Sequence, residues 1–258
     1  MGTWTDKVIV ITGGTDGIGR ALVEECLLQG ARVATCGRNA DKLYQLQTQF
    51  PGAALFTQVA DVSVENDCRL FIERTLETFG KIDVLINNAG FGTNKAFTMS
   101  TLEIEQQLLD VLVRTPMRLM HVALPLMKAR NKGIIINVSS VAGYIAGGSY
   151  SASKSYLTVL SESLNTELSS TNVKVSALCP GFTRTEFHQR GKMSMKGLPN
   201  FLWLNSDRLV EQSWRDALKG KAVSVPGWQY KLLLFIVETV PRSIVRKVGM
   251  NMRAKQRK

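Results

Sequence analysis

Short β-branched runs alternate with longer stretches of helical period along most of the chain. "KVIVIT", "ARVATC", "AALFTQV", "IDVLI", "GIIINV" and "KVSALC" read as strands, and most are nearly continuous in apolar residues. Strands covered on both faces have that character. Helical patterns fill the gaps near residues 17–29, 41–49, 64–79, 101–130 and 150–171. The alternation predicts right-handed crossovers and a parallel α/β sheet with helices on both faces. No internal repeat or low-complexity linker interrupts it, so residues 1–258 read as a single domain. Beyond Pro180 the period loosens through "GFTRTEFHQRGKMSMKGLPNFLWLNSD", before a helix near 206–219 and a short strand, "KAVSV". Such a segment past the carboxyl end of a strand suits a substrate lid, assigned to 187–225. Residues 226–258 read as a C-terminal helix and a basic tail.

The first strand hands over to the first helix through "TGGTDGIG", which places Gly13, Gly17 and Gly19 at a helix N-terminus. Unpaired N–H groups and the positive dipole end concentrate there, and glycines let a pyrophosphate approach them. The spacing, G-x-x-x-G-x-G, differs from the G-x-G-x-x-G of many dinucleotide folds, and a tight strand–helix corner would also use glycines. Arg38, just after the second strand, sharpens the picture. That place holds an acid for a ribose 2′-hydroxyl or an arginine for a 2′-phosphate. Gly37 and Arg38 occupy it with no competing acid, so the expected cofactor is NADP(H). Asp16, inside the loop, is an objection on charge grounds.

Two further motifs complete a pattern. "NNAG", Asn87 to Gly90, follows the fourth strand, and "YSASK", Tyr150 to Lys154, opens the long helix after "NVSS". Together with the glycine loop, these resemble the short-chain dehydrogenase/reductase family over roughly residues 7–190. The resemblance implies a doubly wound Rossmann-type sheet of about seven strands, in a homodimer or homotetramer. It implies cofactor contacts from Gly13, Thr15, Gly17, Ile18 and Gly19, and from Asn88, Ala89 and Gly90. Asp61, with Val62 beside it, would meet the adenine amino group. Pro180, Gly181, Thr183 and Thr185 would border the nicotinamide, with Thr185 on its carboxamide.

Tyr150 and Lys154 are four apart and share a helix face. A free phenol is a poor acid–base at neutral pH, but a nearby ammonium favours the phenolate. Tyr150 would then exchange a proton with the substrate oxygen, and Lys154 would also bond the nicotinamide ribose. A serine would polarise the same oxygen. The family places it about thirteen residues before the tyrosine, where this chain has Asn137. Aligning "NVSS" instead selects Ser140, with Ser139 as the alternative. In "LLDVLVRTPMRL", Leu112 stands where many relatives carry an asparagine that kinks the helix and anchors a water leading to the lysine. Leucine leaves that relay to backbone carbonyls, or leaves it slower or absent.

Composition narrows the classes. The chain has 258 residues, 45% apolar and 21% charged, as ordinary globular proteins do. Cys26, Cys36, Cys68 and Cys179 are scattered without a C-x-x-C pair, which predicts a reducing, cytoplasmic setting. With His121 and His188 the only histidines, no metal site is expected. No secretory leader precedes the first strand, and the run Leu232 to Val237 is too short to span a bilayer. From Gln229 onward, Lys231, Arg242, Arg246, Lys247, Arg253, Lys255, Arg257 and Lys258 face one acid, Glu238, so this end carries +7 of the net +11. It fits a helix that packs on the body or closes the site, or one that makes peripheral contact with a membrane. No nucleic-acid recognition motif accompanies it.

The sequence thus predicts an oxidoreductase interconverting a carbonyl and a secondary alcohol. Phe187, Met193, Met195, Leu198, Phe201 and Trp203 suggest an apolar substrate, though they serve equally as core. A 3-oxoacyl thioester reductase, with Arg190 or Lys192 meeting a phosphorylated carrier, is the alternative within enzymes. A cofactor-binding scaffold with little or no turnover is the alternative outside them.

Overall fold

The structure, a computed structural model, describes residues 4–93, 95–191 and 198–247, with the backbone alone for His188 and Arg190. Seven strands form one parallel sheet in the order β3-β2-β1-β4-β5-β6-β7. They are β1 Val8–Thr12, β2 Arg32–Gly37, β3 Leu55–Val59, β4 Val84–Asn87, β5 Gly133–Val138, β6 Val173–Leu178 and β7 Val223–Ser224. The chain reverses direction across the sheet between β1 and β4, opening a crevice at the strands' carboxyl ends.

Side chains alternate between the two faces of each strand and fill two cores. Ile9, Ile11, Val84 and Ile86 point to one side, where helices α1 (Gly17–Leu28), α2 (Ala40–Gln49) and α8 (Ser206–Leu218) cover them. Val10 and Leu85 point to the other, against α3 (Glu65–Phe79), α5 (Thr115–Ala129) and α6 (Ser149–Glu167). Both faces being dry explains why the strands lack a polar period. Trp4 packs on Trp214 of α8 with ring centroids 3.9 Å apart, closing one end of the first core.

One expected helix is two. The 101–130 pattern resolves into α4 (Leu102–Leu109), a π-helical turn at Asp110–Arg114, and α5. Pro116 has no N–H to return to the preceding turn, so the ladder slips there. The Thr115 N–H reaches back to the Asp110 carbonyl instead. The Thr115 hydroxyl lies 2.9 Å from the same carbonyl and also bonds the carbonyl of Val62. The chain therefore breaks this helix without an asparagine at position 112.

The stretch 187–225 divides by packing. The short helix α7 (Phe187–Arg190) and a 3₁₀ turn at Asn200–Leu202 lie past β6, while α8 packs on α1 and β7 joins the sheet edge. Helix α9 (Trp228–Thr239) follows, and residues 242–247 form a further helical turn.

Candidate active site

A continuous cavity of about 510 Å³ follows the carboxyl ends of the strands. Its lining includes Gly13, Thr15, Gly17 and Ile18 from the glycine loop, and Arg38, Asp61 and Val62 from the ends of β2 and β3. Asn88, Ala89 and Gly90 after β4 line it too, as do Pro180, Gly181, Thr183 and Thr185 after β6. Ser140, Tyr150 and Lys154 share the same space. Gly19 is the exception: it sits behind the lining.

The loop's glycines have separate reasons. Gly13 adopts φ +70° and Gly17 φ +56°, where side-chain-bearing residues are strained. A Cβ on Gly19 would lie 2.2 Å from the carbonyl oxygen of Gly13, so this glycine lets the helix start fold tightly under the loop. The Asn88 side chain donates to the carbonyls of Thr12 (2.9 Å) and Gly13 (3.1 Å). In return, the Thr12 hydroxyl accepts from the backbone N–H groups of Asn88 (3.1 Å) and Ala89 (3.0 Å). Asn88 thus holds the loop open with its side chain, a role that spacing alone did not reveal, and Thr12 is a partner that the sequence reading passed over.

Asp16 shares one cation with a second acid. Lys42, in the first turn of α2, places its ammonium 2.5 Å from the Asp16 carboxylate and 3.6 Å from Glu186. Arg38 is 69% exposed, and its nearest acid is Asp61 at 3.9 Å. The guanidinium therefore stands at the end of β2 without a tight bidentate partner among the contacts observed. Asp61 also accepts from the backbone N–H (3.0 Å) and hydroxyl (2.7 Å) of Ser63.

The two serines separate by their partners. The Ser139 hydroxyl is buried between the Lys154 carbonyl (2.7 Å) and the Thr158 hydroxyl (2.7 Å), both on α6. Ser140 is half-buried. Its oxygen accepts from the Ala142 N–H (3.1 Å) and makes only a long contact, 3.5 Å, with the Pro180 carbonyl. Asn137, thirteen residues before Tyr150, belongs to the core: it accepts from Asn87 at 2.7 Å and donates to Ser161 at 2.8 Å.

Lys154 is buried, and its ammonium donates to the Val138 carbonyl at 2.6 Å. Removal from water pulls its pKa down to about 8. The ammonium lies 5.8 Å from the centroid of the Tyr150 ring, which tilts against Phe187 of α7 at 5.9 Å. Leu112 is buried with Leu108 and Val111, and Tyr150 and Phe91 pack against that cluster. A Cβ placed on Gly90 would touch Leu112 at 3.0 Å and stand 3.8 Å from the Lys154 nitrogen. Leucine thus fills the space beside the lysine with methyl groups. Cys36 also lines the cavity, but burial pushes its thiol up to about 12, so it remains protonated.

The cavity's outer wall is α9, through Leu233, Ile236 and Val237. Tyr230 anchors that helix: its hydroxyl accepts from the Phe182 N–H (2.9 Å) and donates to the Leu202 carbonyl (2.5 Å). Burial pushes the phenol up to about 12, so it keeps its proton as donor. Its ring occupies the space a Cβ on Gly181 would need, at 1.9 Å. Tyr230→Phe is expected to lower stability by about 1–3 kcal/mol, because the Phe182 N–H loses its partner, and a urea unfolding midpoint measures it.

A glycine-rich helix start opening on a cavity at the carboxyl ends of parallel strands defines a dinucleotide-binding α/β protein. Residues 7–195 match the model of the short chain dehydrogenase family, and the chain belongs to that family. An uncharacterized oxidoreductase of Staphylococcus saprophyticus is 32% identical over 186 residues, covering 70% of this chain and 80% of that protein. A short-chain dehydrogenase from Sphingobium yanoikuyae, solved in complex with NADPH, superposes with a TM-score of 0.80 at 26% identity, covering 91% and 96% of the two chains. One from Burkholderia phymatum in complex with NAD reaches 0.82 at 23%, covering 97% and 98%. Family membership supports a nicotinamide cofactor and an enzyme acting on CH–OH or C=O groups.

Proposed function

We propose that the protein is an NADP(H)-dependent oxidoreductase that interconverts a carbonyl and a secondary alcohol. The observation that carries this reading is the meeting of Tyr150, Lys154 and Ser140 with the glycine loop and Arg38 along one cavity. The cavity suits a dinucleotide: glycines let the loop pack tightly against Asn88, Ala89 and Thr185 at a helix N-terminus, and apolar Val62, Ala89 and Ile18 can flank flat rings.

Bound NADP(H) supplies or accepts the hydride. Arg38 would hold the 2′-phosphate, with Lys42 paired to Asp16 close by. Tyr150 gives or takes the proton at the substrate oxygen, and Ser140 donates a hydrogen bond to that oxygen. Lys154 places positive charge beside the phenol ring, which favours its deprotonated form. Val138 holds that ammonium in place. Phe187, Phe91 and the α9 residues make the remaining wall apolar, which suits an apolar carbonyl substrate. We assign the covering role to α7, whose Phe187 lines the cavity; residues 192–197 of the expected 187–225 segment lie outside the described residues. Of the residues named for a phosphorylated carrier, Lys192 and the Arg190 side chain lie outside the described residues, as do Met193 and Met195.

Homodimer or homotetramer formation is supported by Met117 and Val122 on α5 and Tyr156 and Val159 on α6, all apolar and exposed. The four described cysteines are free and buried, in keeping with a cytoplasmic setting. No helix among the described residues is long and apolar enough to cross a membrane.

Arg38→Ser is expected to weaken NADPH binding about tenfold or more and to leave NADH binding within about threefold, since one charge-assisted contact is lost. Titration calorimetry with both cofactors tests it. Equal losses for the two would remove the role given to Arg38. A ketone and alcohol panel, followed by NADPH absorbance, separates an enzyme from a scaffold: tight NADPH binding without turnover of any member would establish the scaffold.

A further inference from the structure

Helix α9 is apolar nearly all round, yet among its residues only Tyr230 and Leu234 are fully buried. A helix of that composition is ordinarily sunk in a core. Here Trp228, Leu232 and Phe235 follow one another at helical spacing with exposures of 71%, 52% and 65%. Ile236, next to them on the helix surface, is 47% exposed and also lines the cavity. Phe201, 63% exposed, is tied to the start of the helix, since its carbonyl accepts from the Gln229 side chain at 3.1 Å. The patch is therefore continuous with the rim of the active-site cavity.

The chain that carries this patch is dominated by charge of one sign. Lys231 lies beside the stripe, and Arg242, Arg246 and Lys247 follow on the next helical turn, all exposed. Glu238 is the one acid on α9. Four further basic residues follow in the sequence. We propose that α9 and the turn at 242–247 form a docking surface for an anionic lipid membrane, with Trp228, Leu232 and Phe235 entering the interface and the cations on the headgroups. Apolar and aromatic residues backed by lysine and arginine are what an interfacial helix needs. The same charges disfavour a second copy of the chain here. A two-fold contact sets a patch against itself and would bring the basic rims together. Docking would put the cavity rim at Leu233 and Ile236 beside the lipid.

The test is sedimentation of the full chain with sucrose-loaded vesicles, either phosphatidylcholine alone or phosphatidylcholine with phosphatidylglycerol. Binding is expected on the anionic vesicles, weakening with salt. Leu232→Ser/Phe235→Ser and, separately, Arg242→Gln/Arg246→Gln/Lys247→Gln should each release the protein, about fivefold for each cation removed near the surface. None of the substituted residues lines the cavity, so NADPH binding should persist and reports that the variants are folded. A blue shift of fluorescence on lipid addition, lost in Trp228→Phe, places the stripe in the interface. Equal pelleting on both vesicle types, or unchanged pelleting by both variants, overturns the proposal. So does a sedimentation-velocity result in which Leu232→Ser/Phe235→Ser dissociates an oligomer, which would make a second copy the occupant.

Discussion

Tyr150→Phe is expected to lower turnover of the best carbonyl substrate by about a hundredfold to ten-thousandfold, the usual worth of a positioned acid or base. NADPH affinity should change little. The substitution keeps the ring, so its packing against Phe187 and the Leu108, Val111 and Leu112 cluster is preserved. The buried lysine keeps its bond to the Val138 carbonyl. The effect should therefore fall on kcat, with the cofactor-induced rise in melting temperature retained. A variant that keeps a tenth or more of the wild-type rate would place the proton transfer elsewhere in the cavity. Single-turnover measurement with NADPH separates that outcome from slow product release, which would mask a chemical defect in kcat.

The sheet and its order of elements were legible because parallel strands buried on both faces leave nearly unbroken apolar runs, and the strands between the two edges, β3 and β7, are of that kind. The glycine loop, "NNAG" and "YSASK" were legible because each is local: its residues act within one turn or strand end. What escaped the sequence depends on distance along the chain. Lys42 pairs with Asp16 from 26 residues away, and Tyr230 ties α9 to Phe182 across 48. No period or spacing reports such pairs. The break between α4 and α5 was hidden for a different reason. A π turn continues the helical pattern of apolar positions with a small slip, so periodicity runs through it, and Pro116 was the available sign. The choice between Ser139 and Ser140 needed the third dimension, since adjacent residues at a strand end point opposite ways. Both serines border the cavity, but the Ser139 hydroxyl is taken up by α6 while that of Ser140 is not. Leu112, which the sequence marked only by the asparagine it replaces, is buried against Gly90.

Lys154→Met should separate what the site needs from what the fold would prefer. Turnover is expected to fall by at least about a hundredfold, because the charge beside the phenol is gone. Stability should move in the other direction, and its movement should depend on pH. The folded-state pKa of Lys154, about 8, lies below the unfolded value of 10.5. A lowered lysine pKa means that the unfolded chain binds more protons, so wild-type stability rises with pH between those two values. Below pH 8 the burial of the ammonium opposes folding in full, by roughly 3 kcal/mol on the scale of 1.36 kcal/mol per unit. Methionine removes that penalty but leaves the Val138 carbonyl without its donor, a loss of about 1–3 kcal/mol that does not vary with pH. At pH 7 the variant should accordingly be as stable as wild type or slightly more so. By pH 9.5 its standing relative to wild type should decline by about 2 kcal/mol, as deprotonation relieves the lysine. Urea titrations of both proteins without cofactor, at pH 7 and pH 9.5, measure that change. A stability difference that is the same at both pH values would mean that the ammonium is solvated. Lys154 could then not be the buried charge on which the proton chemistry of Tyr150 depends.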